Sequence, residues 1–142
     1  MATFPINQMA TIKLEIVTPE AKTFSEDVDM VTLTGTEGEM GILPQHMPVM
    51  TSLVAGEVTA RKNGQNIFLA VGDGFVQVTG DRVAILTDMA IRAENIDEAA
   101  VEQARQKAES RLAENLTGEE LAIANASLAH SLTQLKVKRR HK

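Results

Sequence analysis

Three turn dipeptides in a row set the fold of the first two thirds of this chain. Asn63-Gly64 separates Val58 to Lys62 from Gln65 to Val71, Asp73-Gly74 separates that run from Phe75 to Thr79, and Gly80-Asp81 separates the next from Arg82 to Thr87. Asn-Gly between apolar runs is a strong hairpin signal, because both residues tolerate the left-handed backbone that a two-residue turn demands. Upstream, Ile12, Leu14 and Ile16 alternate with Lys13 and Glu15 until Pro19 ends the run. Val28 to Thr34 reads as one further strand, apolar on both faces near its end. Short strands with turn signals at almost every junction predict an antiparallel sandwich or flattened barrel.

Near Ala93 the apolar period changes from two to that of a helix. Asn95-Ile96-Asp97-Glu98 has a capping residue with Glu three positions on, and Asp97 adds negative charge where the helix dipole favours it. Ile96, Ala100, Val101, Ala104, Ala108 and Leu112 form a narrow stripe rich in alanine. Asn115 to Gly118 breaks the pattern, and Thr117-Gly118-Glu119-Glu120 offers a second capping box. The following helix carries Leu121, Ala124, Leu128, Leu132 and Leu135. Two helices joined by so short a break form an antiparallel hairpin. The fold class is therefore α+β, a β-sandwich over residues 1–92 followed by a two-helix unit over 93–142. Alanine methyls bury little area, so the hairpin is marginal as an isolated unit. It is either docked conditionally or rests permanently on the sandwich.

The most heavily specified loop is Gly35 to Val49, GTEGEMGILPQHMPV. Gly38 and Gly41 permit backbone that other residues avoid, Pro44 and Pro48 fix φ, and Glu39 and His46 are its chemistry-bearing side chains. Such a loop presents something to a partner, small molecule or protein. Catalysis is poorly supported. His46 has Glu37, Glu39 and Asp88 as candidate neighbours, but no nucleophile motif or metal-spaced pair accompanies it. Gly72-Asp73-Gly74 lacks the helix and lysine of a phosphate cradle and reads as a turn.

Composition narrows the partner. The net charge is −5, aromatics are 3% with no Trp or Tyr, and single-stranded nucleic acid therefore finds neither stacking platforms nor favourable charge. No cysteine is present, which excludes disulfides and thiolate metal sites. The N-terminus lacks the pattern of a signal or transit peptide, and no apolar stretch approaches the roughly 20 residues of a spanning helix. Five of the 14 basic residues fall in the last seven positions: Lys136, Lys138, Arg139, Arg140 and Lys142. This basic tail is either a solvated, frayed end or an electrostatic contact for an acidic partner surface.

GTEGEMGILPQHMPVMT, the strand series through LAVGDGFVQVTGDRVAIL and the Ile-Asp helix start together resemble the epsilon subunit of bacterial and chloroplast F-type ATP synthases, over about Thr11 to Lys138. The resemblance implies a flattened ten-stranded sandwich and a helical hairpin, in a non-catalytic rotor subunit that couples ATP synthesis or hydrolysis to ion flow. It implies docking on the gamma subunit and the c-ring through Gly38, Glu39, Gly41, Pro44, His46 and Pro48. For Glu39 and His46, a solvated turn residue and a histidine bonded to the loop backbone stand as the plainer alternatives. It also implies inhibition of ATP hydrolysis by the helices, inserted among gamma, alpha and beta, with Lys136, Lys138, Arg139 and Arg140 against an acidic segment of beta. The implied location is the cytoplasmic face of the bacterial inner membrane, with membrane contact only through partner subunits.

No cofactor is expected. Several family members bind ATP through I/L-D-x-x-R-A at the first helix, but here Ile96 and Asp97 are kept while Ala100 stands where the arginine belongs. Arg105, about a turn further along, is the one candidate substitute. A competing reading is a free-standing ligand-binding β-sandwich with a helical oligomerisation hairpin. It requires a deep pocket, which inward Val, Ile, Leu and Met side chains argue against.

Overall fold

A computed structural model describes residues 10–142; the beginning of the segment read for a leader, residues 1–9, lies outside the described residues. Ten strands come first: β1 (Ile12–Val17), β2 (Lys22–Val28), β3 (Met30–Gly35), β4 (Gly38–Ile42), β5 (Val49–Leu53), β6 (Gly56–Lys62), β7 (Gln65–Val71), β8 (Gly74–Thr79), β9 (Arg82–Thr87) and β10 (Ala90–Arg92). A single 3₁₀ turn, Ala93–Asn95, leads into α1 (Glu98–Leu112) and α2 (Gly118–Arg140). The strands run in the order β10-β7-β6-β3-β5-β8-β9-β1-β2, with β4 paired to β3 outside that path.

The alternation in β1 does what its period requires: Ile12, Leu14 and Ile16 are fully buried while Lys13 and Glu15 lie on the other face. They join Val31, Leu33, Val58, Leu69, Val76 and Ile85 in one core drawn from both layers. Each such side chain contributes about 1.5–3 kcal/mol when removed from water. Asn63 and Gly64 both take positive φ, 53° and 78°, so β6 and β7 close in register with Lys62 opposite Gln65.

Asp73-Gly74 is a corner rather than a hairpin, because β7 pairs with β6 and β10 whereas β8 pairs with β5 and β9. Polar groups fix it: the Ala55 amide donates to Asp73 Oδ1 at 2.8 Å, and the Thr87 hydroxyl donates to the Asp73 carbonyl at 3.0 Å. Gly74 packs so tightly that a Cβ there would collide with the Leu86 carbonyl.

Several local expectations change. The sandwich is not wholly antiparallel, since β1 runs parallel to β9, Leu14 opposite Val83 and Ile16 opposite Ile85. These two strands are far apart in sequence, so no tight turn constrains their relative direction. Val28 to Thr34 is two strands. The chain changes partners at Asp29, whose amide donates to Arg61 O at 2.7 Å and whose carboxylate accepts from Asn63 N at 3.0 Å. Gly35 to Val49 is not one loop either, because Gly38–Ile42 pairs with β3 from Gly35↔Gly38 to Val31↔Ile42.

The helix starts two residues later than the capping pattern suggests. Asp97, not Asn95, is the cap, its Oδ1 accepting from Ala100 N at 3.2 Å. Asn95 is used in the 3₁₀ turn that lets Ile96 reach a buried position, 4% exposed. Thr117 precedes α2 without a side-chain cap bond, and Gly118 takes φ +60°.

The hairpin covers one outer face of the sandwich. Val137 of α2 packs with Ala70, Ala93 and Ile96 in a second, smaller core, with Phe68, Ile91 and Val101 around it. Within α1 the buried residue is Ala108, so this helix contributes little apolar burial of its own.

Candidate functional site

Among the described residues, the opposite outer face is bare. Along β8 and β9 the inward residues Val76, Val78, Val83 and Ile85 are buried, which turns Phe75 and Leu86 outward at 60% and 52% exposure. Phe75 lies opposite Leu86, and Leu86 opposite Val17 of β1, so the register lines up an apolar row across three strands. Met50 of β5, 68% exposed, adds to it one register step away, opposite Gln77. Single exposed hydrophobics are ordinary; a contiguous row marks an interaction surface. The sequence carries its signal in the adjacent apolar pairs Phe75-Val76 and Ile85-Leu86, which place a hydrophobic residue on each side of a strand.

The structure divides the segment singled out in the sequence. Glu39 lies exposed in β4, opposite Thr34 and next to the Gly38 turn, where φ is +115°. His46 follows the other end of β4, beyond Ile42. By strand rise about 10 Å separates Glu39 from Ile42, so the two side chains do not converge. Gln45, with φ 66°, donates its amide to Gly80 O at 2.8 Å, and His46 donates its amide to Leu43 O at 3.1 Å. The His46 ring Nδ1 lies 2.7 Å from its neighbour's carbonyl, Met47 O. Pro44 and Pro48 bracket this turn, and Leu43 and Met47 stand out from it at 56% and 79% exposure. Gly41 is tight, since a Cβ would press on the Met30 methyl.

The basic tail is helical through Arg140 and docked rather than frayed. Lys138 Nζ donates to Ala93 O at 3.1 Å, and Arg139 lies 3.8 Å from Glu98 and 3.4 Å from Glu102 of α1. Lys136 and Arg140 line a groove between α2 and the sandwich together with Glu39 and Glu57. Two contacts to the sandwich, one from α2 and one from the residue that follows it, were not visible in sequence. His130 Nε2 reaches Asp88 Oδ2 at 3.0 Å across 42 residues, and His141, just past α2, reaches Glu57 across 84.

Models of the ATP synthase delta/epsilon chain match nearly all of this architecture, the β-sandwich domain over residues 11–93 and the long α-helix domain over 94–139. The chain belongs to the ATP synthase epsilon chain family. The ATP synthase epsilon chain of Dehalococcoides mccartyi is 46% identical over 130 residues, covering 91% of this chain and 93% of that one. That of Bacillus subtilis is 43% identical over 104 residues, 73% of this chain and 79% of that one. Among solved structures, a chain of the Euglena gracilis mitochondrial ATP synthase (OSCP/F1/c-ring, rotational state 1) superposes with a TM-score of 0.62 at 23% identity, over 92% of this chain and 79% of that one. A chain of the Tetrahymena thermophila mitochondrial ATP synthase central stalk and c-ring gives 0.56 at 14%, over 92% and 95%; these two likenesses show the fold. Members of this family are non-catalytic subunits of the ATP synthase, and the rotor role implied by the sequence holds. Among the described residues no helix is long and apolar enough to cross a membrane.

The family's ATP motif does not fit a triphosphate here. Asp97, Ala100 and Val101 border an open cleft of about 650 Å³ between the helices, with His130 and Gln134 on its far side. Asp97 is committed to the helix cap, and Ala100 supplies no charge. Arg105 is no replacement, because its Nε lies 3.1 Å from Glu102 and its Nη1 2.5 Å from Glu109. The bond from Arg105 is also the main reason the Glu102 carboxyl sits below its ordinary pKa.

Proposed function

We propose that this epsilon-family chain seats its bare sandwich face on the gamma subunit, meets the c-ring through the Gly38–Pro48 segment, and restrains ATP hydrolysis with its helices. The observation that carries the reading is the apolar row Val17, Leu86 and Phe75, with Met50 beside it, on a face that no other element among the described residues covers. An extended, flat, hydrophobic surface suits a long protein partner, whereas a small ligand requires a concave pocket. This favours a rotor subunit over a free-standing ligand-binding sandwich, whose interior would have to open where Val31, Leu69 and Val76 are fully buried. Glu39 and His46, set apart by the length of β4, then meet different parts of the ring surface. The location that follows is peripheral, at the cytoplasmic face of a bacterial membrane, held there by partner subunits.

The basic residues support the inhibitory part. In the docked hairpin Arg139 is engaged by Glu98 and Glu102, and Lys138 by the Ala93 carbonyl. Contact with an acidic segment of beta therefore requires α2 to leave its seat. Each rim ion pair is worth only about 0.2–1 kcal/mol, so Lys136, Lys138, Arg139 and Arg140 act as a group.

Removing residues 117–142 tests this in the assembled complex. The sandwich core involves none of these residues, so gamma should still copurify, and ATP hydrolysis should rise. An unchanged rate means the helices do not inhibit; loss of gamma means the docking assignment is wrong.

A further inference from the structure

The contacts that hold α2 in place fall into two sets that alternate along its end. Arg139 and Lys142 reach Glu98 of α1, at 3.8 and 3.3 Å, and so tie helix to helix. Lys138 and His141 reach the other way, Lys138 to Ala93 O and His141 to the sheet. Only the second set anchors α2 to the sandwich.

His141 makes the more elaborate of these anchors. Its ring stacks on Phe68 of β7 with centroids 3.6 Å apart and planes 9° from parallel. Its Nε2 meets the carboxylate of Glu57 on β6. Both partners are largely enclosed, the side chains of His141 and Glu57 being 20% and 17% exposed. Glu57 is itself steadied by the Thr59 hydroxyl at 3.3 Å. A flat ring with one polar edge matches this seat, because the aromatic face takes the stack and the carboxylate takes the N–H.

Elsewhere the helix is held lightly. Leu121, Ile123 and Leu132 are 37%, 61% and 49% exposed, and the one further polar tie to the sandwich described above is His130 to Asp88. On the sheet side the buried residue of α2 is Val137, packed with Ala70, Ala93 and Ile96 just before His141.

We propose that His141 is a latch: its seat on Phe68 and Glu57 sets the balance between α2 docked on the sandwich and α2 released. Release begins at this end, where the stack and the carboxylate contact are lost together. The docking balance is a property of the chain alone; its consequence for hydrolysis rests on the inhibitory role proposed above.

The chain contains no cysteine, so a pair of spin labels can be placed without removing any. Ala129→Cys on α2 and Gln65→Cys at the start of β7 are both at exposed positions. In the full-length chain the label pair should give one short distance, and His141→Ala should enlarge the long-distance population by about tenfold, the worth of an aromatic pair. Phe68→Ala should enlarge it as well, and the double variant should fall well short of the sum of the two, since both substitutions remove the same stack. His141→Phe, which keeps the stack, should restore most of the docked population. A distance distribution unchanged by His141→Ala overturns the latch, as does strict additivity of the two substitutions. In the assembled complex His141→Ala should lower hydrolysis. If the distances shift and hydrolysis does not, the latch stands and the inhibitory role fails.

Discussion

Glu26 of β2 holds Arg92, the last residue before the helical unit, at 2.7 Å, and with its other oxygen holds Lys62 at 2.6 Å. Arg92 in turn lies over the Phe24 ring, 5.0 Å from its centroid. One carboxylate thus joins an edge strand, the β6–β7 hairpin and the junction with the hairpin of helices.

The Lys62 hydrogen bond, and then the charges of Lys62 and Arg92, hold the Glu26 carboxyl below its ordinary pKa against the opposing effect of partial burial. A depressed carboxylate stabilises the fold above its unfolded pKa and loses that contribution as pH falls through the folded value. Glu26→Gln should therefore cost about 1 kcal/mol at pH 7. Urea unfolding repeated at progressively lower pH should show the gap closing as the wild-type carboxylate takes up its proton.

Gly74→Ala should destabilise the sandwich by about 1–3 kcal/mol, because the added methyl meets the backbone carbonyl of Leu86, which cannot swing aside. Gly80→Ala is the control. Its Cβ would project into open space and its φ is not positive, so its unfolding midpoint should stay close to wild type.

Phe75→Ser and Leu86→Ser should leave stability within about 0.5 kcal/mol of wild type, since both side chains already face solvent. Together they should weaken capture of the gamma subunit at least tenfold in a pull-down series. Unaltered capture would move the gamma contact to another face.

Calorimetric titration of the intact chain with ATP should show no micromolar binding, because the cleft beside Asp97 lacks the arginine and Arg105 is held by Glu102 and Glu109. Ala100→Arg is the gain-of-function test, returning a forked donor to that cleft. Micromolar affinity in the unaltered chain would show that other groups hold the phosphates.

Much of the fold was legible because it is encoded locally. Ile12, Leu14 and Ile16 announce a strand by their spacing, Asn63-Gly64 a hairpin, and the change of period after Ala93 a helix. The candidate site was legible only as a segment. Glycines and prolines from Gly38 to Pro48 mark it, but a strand hidden inside the segment, Gly38–Ile42, carries Glu39 and His46 apart. Glycine-rich residues read as loop until a partner strand supplies the hydrogen bonds that make them a sheet edge.

The sequence alone determined the class of each element, the order of strands followed by helices, the absence of thiol chemistry and the family. Only the tertiary structure decided which outer face is covered and which is bare, that β1 runs parallel to β9, and that His141 sits on Phe68 beside Glu57. The physical reason is range. Periodicity and turn preference act over a few residues and are written in adjacent letters. The partners of β1 and of His141 are brought together by packing, across separations at which neighbouring letters carry no information.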